Sequence, residues 1–593
     1  MEAREDQTLE FHLKEVLEGR RRFETAAQAV YRMIMECGVE KVIKGGLPTY
    51  DYKFFRQGKR HIIGWYDEIN TIVNFIANAA SGGDCSRMAL VLISEPGSGK
   101  TFFIQYLCDH YRRFCRRPEN QRYTIQFVNL DKLVDIIEEP VFGEDEVKYI
   151  RKAVRKYGNI TTIESQTFED PVIFAMNLFG GTGGEKEWLA KFGFDDDTID
   201  NFYRFYRPLG ACTEAIWNDI RQHCDGKIEE MLKFVRIVPV RVVESEGILT
   251  GKYSAKDKIT SSADDLLGKK DTTRILHLRN TSHPYIYNVR LGALARVAGG
   301  GIHFADELFR NKTDLVQIYL QVIENRNIEL DGRRWPIDCL ILATSNNDVF
   351  NEFVREGREA PIKDRCLPVF VAHNTDYKLQ FSLTSYATQE TEKSMITEKI
   401  HEDPNYKPLL SVFVTLTRLP HSDKLEPLEM MKLEAGETAG EKSIKTLVEI
   451  KKTLNTSQDV SRRWGQKGIG YRGMARINAR VLAMPETHEG GCKLARFIFE
   501  AAEQEINDYV PEAVDREKYL KDLGIAKKWY KDYIKVSIYN AYQEDTEALR
   551  KAVLAYVNMI IGIGSEHLGP DKIWRYRHPV TGEMVPIKID ESY

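Results

Sequence analysis

The segment Ser94-Glu-Pro-Gly-Ser-Gly-Lys-Thr101 has the residue types and spacing of a phosphate cradle, GxxxxGK[ST], with serine where the first glycine is usual. Glycines at 97 and 99 let the backbone curl its N–H groups around the β- and γ-phosphates of a nucleotide. Lys100 adds a point charge, Thr101 offers a hydroxyl to Mg²⁺, and the helix that follows contributes its N-terminal dipole. The expected cofactors are ATP and Mg²⁺, and the expected cofactor contacts are Glu95, Pro96, Gly97, Ser98, Gly99, Lys100, Thr101 and Phe102. Far downstream, Gly301-Ile-His-Phe-Ala-Asp-Glu307 is an apolar strand ending in two carboxylates. Asp306 is expected to join Thr101 in holding Mg²⁺, mainly through water, because this ion keeps much of its hydration shell. Glu307 is expected to polarise the water that attacks the γ-phosphate. Asn346, just past the strand Asp338–Ala343, can reach the same water. Arg365, before a strand at Val369–Val371, and Arg472, in Gly468-Ile-Gly-Tyr-Arg, complete the expected catalytic set. Arg365 is expected to be an arginine finger, and if it acts in trans on a neighbouring subunit, a homo-oligomer is implied.

These side chains need a sheet to line them up. The apolar run Met88–Ile93 reads as a buried strand, and Ile104, Leu107, Cys108 and Tyr111 mark one face of the helix after the glycine loop. Strand, glycine loop and helix form the first unit of a doubly wound sheet, so the fold class is α/β, a three-layer P-loop core with a mainly parallel sheet. Helices are expected over 9–37 and Trp65–Ala80, with a polar stretch, Lys44–Arg60, between them. Ile163–Phe234 reads as mostly helical, Val235–Val243 as a strand and the polar, lysine-rich Ser254–Asp271 as a mobile loop. Leu315, Ile318, Tyr319 and Val322 mark another helix, and Asn327–Pro336 a hairpin turning at Asp331-Gly332. After Val371 the pattern is largely helical, and Trp529, Tyr530, Tyr533 and Tyr539 recur at helix-like spacing as expected core. The resulting layout has a helical N-terminal domain over 1–58, the ATPase core over 59–375 with a long insertion at about 126–296, a helical lid with Arg472 over 376–485, and a C-terminal helical region over 486–593.

A net charge of −4 and a pI near 6.4 supply no global basic field for nucleic acid. The basic runs Arg20–Arg22 and Arg112–Arg117 read as solvated helix faces. No segment approaches the roughly 18 apolar residues that span a bilayer, and the acidic N-terminus lacks a signal segment, so a cytoplasmic location is expected. Nine scattered cysteines, without CxxC or metal-ligand spacing, read as reduced core thiols. Asn311-Lys-Thr-Asp314 spells a guanine-recognition string, but directly after the acidic strand it reads as accidental. Gly180–Gly184 reads as a loop rather than a second cradle, and kinase HRD or DFG strings are absent.

The order of these elements resembles the PrkA-type serine protein kinases, which are AAA+ proteins. The resemblance runs from about Leu9 to Tyr593. It rests on Ser94–Thr101, Val243-Glu-Ser-Glu followed by Gly251-Lys-Tyr, Tyr287-Asn, the acidic strand, Gln321-Val-Ile-Glu-Asn, Ala343-Thr-Ser-Asn, Gly468-Ile-Gly-Tyr-Arg and His578-Pro-Val-Thr-Gly. It implies an AAA+ core with Asn346 as sensor 1 and Arg472 as a lid-borne sensor 2, followed by a C-terminal kinase-like region, with the chain stopping short of the family's tail. It also implies transfer of the ATP γ-phosphate to a protein serine. The residues read directly predict a mechanochemical ATPase that remodels a protein client, with water as acceptor. A nucleotide-gated scaffold is a third reading, and Glu307 argues against it.

Overall fold

The computed structural model describes residues 4–44, 47–142, 147–180, 183–254, 263–270, 289–311, 313–330, 332–355, 364–395, 400–490, 492–542, 573–577 and 584–588. At its centre is a five-stranded sheet in which every neighbouring pair is parallel. Its strands are β1 (Ala89–Ile93), β2 (Thr250–Ser254), β3 (Gly299–Asp306), β4 (Asp338–Ser345) and β5 (Cys366–Phe370), in the spatial order β5-β1-β4-β3-β2. Helices relevant to the site are α1 (Tyr66–Ala80), α2 (Lys100–Cys115), α3 (Thr313–Asn325), α4 (Tyr377–Met395), α5 (Tyr406–Arg418), α6 (Tyr471–Leu482) and α7 (Ala513–Tyr542).

A parallel sheet covered on both faces needs strands that are apolar throughout, and all five residues of β1 are buried. The two-residue period of the strands sorts them between two cores. Leu90, Leu92, Phe304 and Leu342 pack with α1, α2 and the helix Ala26–Met35. Val91, Ile93, Ala305 and Ala343 face the other way, against α3. A third core gathers Phe127, Phe174, Trp217 and Ile237 from the inserted region, together with Leu9 and Leu13 of the helix Leu9–Leu17. The first 58 residues therefore join the other cores instead of closing one of their own.

The chain crosses over between adjacent β1 and β4, and a ligand crevice opens at such a switch point, outside the carboxyl ends of the strands. Packing divides the chain into Met1–Ala501 and Ala502–Tyr593. In the second unit, α7 precedes an antiparallel ribbon, Ile573–Arg577 with Met584–Lys588.

Several expectations change. Lys44–Arg60 is not a plain linker: Val39–Lys44 and Leu47–Tyr52 form a hairpin, and Phe54 and Phe55 are buried. The edge strand β2 lies inside the span read as inserted, so the insertion ends before Thr250. Ser254–Asp271 contains the helix Ala263–Leu266 and the strand Gly268–Lys270, while 255–262 and 271 lie outside the described residues. So do Gly181 of the glycine-rich loop and Asp331 of the predicted turn, although Leu330 pairs with Arg333 as that turn requires. The α7 aromatics are not core among the described residues: Tyr533 and Tyr539 are 38 % and 59 % exposed, and Trp529 stacks on Tyr533. Arg112 is largely covered and bridges Asp109 and Glu244 instead of facing water.

Candidate functional site

The crevice is a cavity of about 580 Å³ between the sheet's carboxyl ends and the helices α4 and α6. Gly97 and Gly99, at φ +85° and +106°, hold the left-handed backbone that turns the loop into α2. A Cβ on Gly97 would lie 3.5 Å from the backbone nitrogen of Tyr471, because α6 begins against the loop and its Tyr471 N–H donates to Gly97 O at 3.2 Å. Ser94, standing where glycine is usual, is buried, and its hydroxyl pairs with that of Ser98. The serine thus braces the neck of the loop.

Lys100 folds back on its own loop, donating to Ser94 O, to Glu95 O at 3.3 Å and to Asn346 Oδ1 at 3.2 Å. Burial lowers its pKa to about 8, against the pull of Glu95, Glu307 and Asp306. Glu95 does not line the cavity. Its carboxylate turns to Asn347, 3.1 Å from Nδ2, and burial, then Asp348, pushes its pKa up. A carboxylate aimed at phosphates would repel them, and Asn347 instead ties Glu95 to Gln466. Of the eight expected contacts, Pro96 through Phe102 line the cavity.

Asp306 is the last residue of β3 and Glu307 follows at φ +52°, a strained conformation for a non-glycine residue that turns its side chain out of the strand. Thr344, on β4, ties the two acids together: its hydroxyl accepts from Glu307 N–H at 3.0 Å and donates to Asp306 Oδ1 at 2.8 Å. Glu307 also meets Arg310 at 2.7 Å, and Asn346 approaches its other oxygen at 3.5 Å. Asp306, Glu307, Asn346, Thr101 and Lys100 therefore line one cavity together. Arg472 lines the same cavity and has no ion-pair partner among the described residues. Arg365 does not join them. It lies at the amino end of β5, opposite the loop's end of the sheet, and pairs with Glu324 of α3.

The far end of the cavity is formed by Arg60, Ile62 and Ile63 facing Leu383, Tyr386 and Met474. Tyr386 donates to Lys59 O at 2.7 Å, and Arg60 pairs with Glu390, joining this segment to α4. His373 lines the cavity with Nε2 unpaired among the described residues; burial, then the nearby Arg418 and Lys100, hold its imidazole neutral. These residues escaped the sequence reading, as did Arg310, Thr344 and Arg418. The signal available was weak: an apolar pair and a glycine just before α1. The whole suits a nucleoside triphosphate, with an apolar end for a base, an N–H cradle for phosphates and an unpaired imidazole. The hydroxyl of Thr101 and the carboxylate of Asp306 are hard oxygen donors that suit Mg²⁺.

Residues 428–593 match the family described as "PrkA serine protein kinase C-terminal domain". The "ATP-dependent protease PrkA" of Bacillus subtilis (strain 168) is 22% identical over 392 residues, 65% of this chain and 58% of that protein. The chain thus matches less than two thirds of that relative's length. Among solved structures, NtrX from Brucella abortus in complex with ADP aligns at 13% identity over 60% of this chain and 81% of its own, with a TM-score of 0.21. A putative ATPase from Cytophaga hutchinsonii aligns at 14% over 42% and 67%, with a TM-score of 0.17. Superpositions this loose add nothing to the geometry above.

Proposed function

We propose that the chain is a member of the PrkA family, which its residues 428–593 match, and that it binds ATP with Mg²⁺ and hydrolyses the γ-phosphate to drive work on a protein client. The observation that supports this most directly is the Thr344-tied pair Asp306 and Glu307 facing a glycine loop and Lys100 across one cavity. Lys100 leaves its carbonyls for the β- and γ-phosphates, and the N–H groups of the loop close around them. Thr101 and Asp306 would hold Mg²⁺, which would neutralise part of the charge those phosphates carry. Glu307 releases Arg310 and accepts a proton from the attacking water, which Asn346 orients. Arg472, at the start of α6, meets the γ-phosphate and draws the helical lid onto it. Arg365 serves the site of a neighbouring copy.

A second reading, favoured by the description of the matched family, is transfer of the phosphate to a protein serine. It uses the same Lys100 and Asp306, with a hydroxyl in the place of water. Incubation with γ-labelled ATP, Mg²⁺ and a protein acceptor separates the two. Label should be released as free phosphate, and Glu307→Gln should slow release about 10²-fold or more while retaining ATP, because only the base is lost. Lys100→Ala should lose ATP binding. Label on serine in the native chain would put the kinase reading first, and no ATP binding at all would overturn both.

A further inference from the structure

We propose that Lys252 is a built-in counter-ion of the metal-binding carboxylate, one that keeps divalent cations out until nucleotide arrives. This rests on the reading of Asp306 as a metal-holding residue.

In the parallel pairing of β2 with β3, Lys252 lies opposite Phe304 and Ser254 opposite Asp306. The Lys252 side chain runs over the Phe304 ring, 5.1 Å from its centroid, and sets its ammonium 2.8 Å from Asp306 Oδ2. The other carboxylate oxygen takes the Thr344 hydroxyl. Both oxygens of Asp306 are thus engaged from within the chain, one of them by a full positive charge. The neighbouring acid is treated alike, with Arg310 on Glu307. Two acids at the end of one strand would otherwise make a site that attracts any hard cation, and each instead carries its own cation.

The two cations differ in what they can do. Arg310 is three residues from Glu307 on the same turn and can follow it. Lys252 comes from another strand, 45 % exposed in its side chain, and has open solvent to move into. A free divalent ion approaching Asp306 meets an ammonium at hydrogen-bond distance and is repelled. With nucleotide, the metal brings phosphate oxygens of its own, and their charge offsets the loss of the lysine contact. Lys252 therefore acts through Asp306 as a positioning residue and orders the loading of the site: nucleotide with metal, never metal first.

The test measures Mn²⁺ bound to the nucleotide-free, full-length protein by electron paramagnetic resonance of the free ion, a readout independent of turnover. Lys252→Met should bind Mn²⁺ at least tenfold more tightly than the native chain. Lys252→Arg, which keeps the charge, should match the native chain. Adding Asp306→Asn to Lys252→Met should abolish the gain. Equal or weaker Mn²⁺ binding in Lys252→Met overturns the proposal, as does a gain that survives Asp306→Asn. Should Lys252→Met unfold at a lower temperature than native, Lys252→Gln makes the same comparison with a polar side chain in place. ATP titrated into the native chain by calorimetry judges the nucleotide reading separately, since the Mn²⁺ comparison needs no nucleotide.

Discussion

Thr344 shows how much of the site hangs on groups that no motif names. Its hydroxyl is acceptor to the Glu307 amide and donor to Asp306, so one oxygen ties together the proposed base and the proposed metal-holding carboxylate. Thr344→Val keeps the shape and strips both bonds, each worth about 1 kcal/mol net. ATP turnover should fall about tenfold, with ATP affinity nearly unchanged, because the lost contacts position catalytic groups rather than bind substrate. Steady-state phosphate release beside equilibrium ATP binding checks the split. The glycine-loop residues that line the cavity were legible because phosphate chemistry dictates their types: a lysine, a small hydroxyl and glycines at positive φ. Residues that hold those in place were not, since a threonine in a buried strand or a histidine after one has many structural uses. Glu95 shows the converse. It fell inside the motif, yet its carboxylate serves Asn347 and avoids the cavity.

At the level of elements, the three inner strands were readable and the edge strand β2 was not. Strands buried on both faces are continuous apolar runs of strand length, whereas Thr250–Ser254 alternates burial and carries the polar side chains of an edge. The hairpin Val39–Tyr52 went unread for the same reason, its residues being mostly exposed. The helix α1 makes a prediction of its own. Glu68, in its first turn, accepts from the Ala372 N–H beyond β5 at 3.4 Å, and burial raises its pKa to about 7. A carboxyl that holds its proton more tightly folded than unfolded gives stability that is complete below the unfolded pKa, near 4.3, and is lost as pH rises through about 7. Glu68→Gln cannot ionise and keeps the acceptor. It should be the more stable protein at pH 8.5, by about 1–2 kcal/mol, with the gap closing by pH 4.5. Urea midpoints at the two pH values test this, and an equal gap at both would show that ionisation plays no part.

For the whole molecule, the place of Arg365 sets an experiment on assembly. It stands at the end of the sheet away from this chain's own loop. Arg365→Ala should bind ATP as well as native and hydrolyse it poorly. Lys100→Ala should bind none, and a mixture of the two should recover turnover that neither shows alone, since copies contacting head to tail would pair an intact cradle with an intact finger. Additive, unrecovered rates would confine Arg365 to its bond with Glu324. A second experiment follows the packing. Residues 1–510, which hold the first unit and complete the helix Phe497–Tyr509 that crosses its boundary, should unfold cooperatively and retain ATP, as read by calorimetry. Residues 428–593 alone should expose apolar surface and bind hydrophobic dyes. The matched region opens one residue into the helix Pro427–Glu434, after α4 and α5 have already passed. Its own α6 is shaped by those two helices: Gln380 of α4 reaches Met474, and Tyr406 of α5 donates to Asn478. The matched region thus owes part of its form to helices that precede it in the chain. In evolutionary terms, a copy of residues 428–593 moved without α4 and α5 would leave bare the faces of α6 that meet Gln380 and Tyr406.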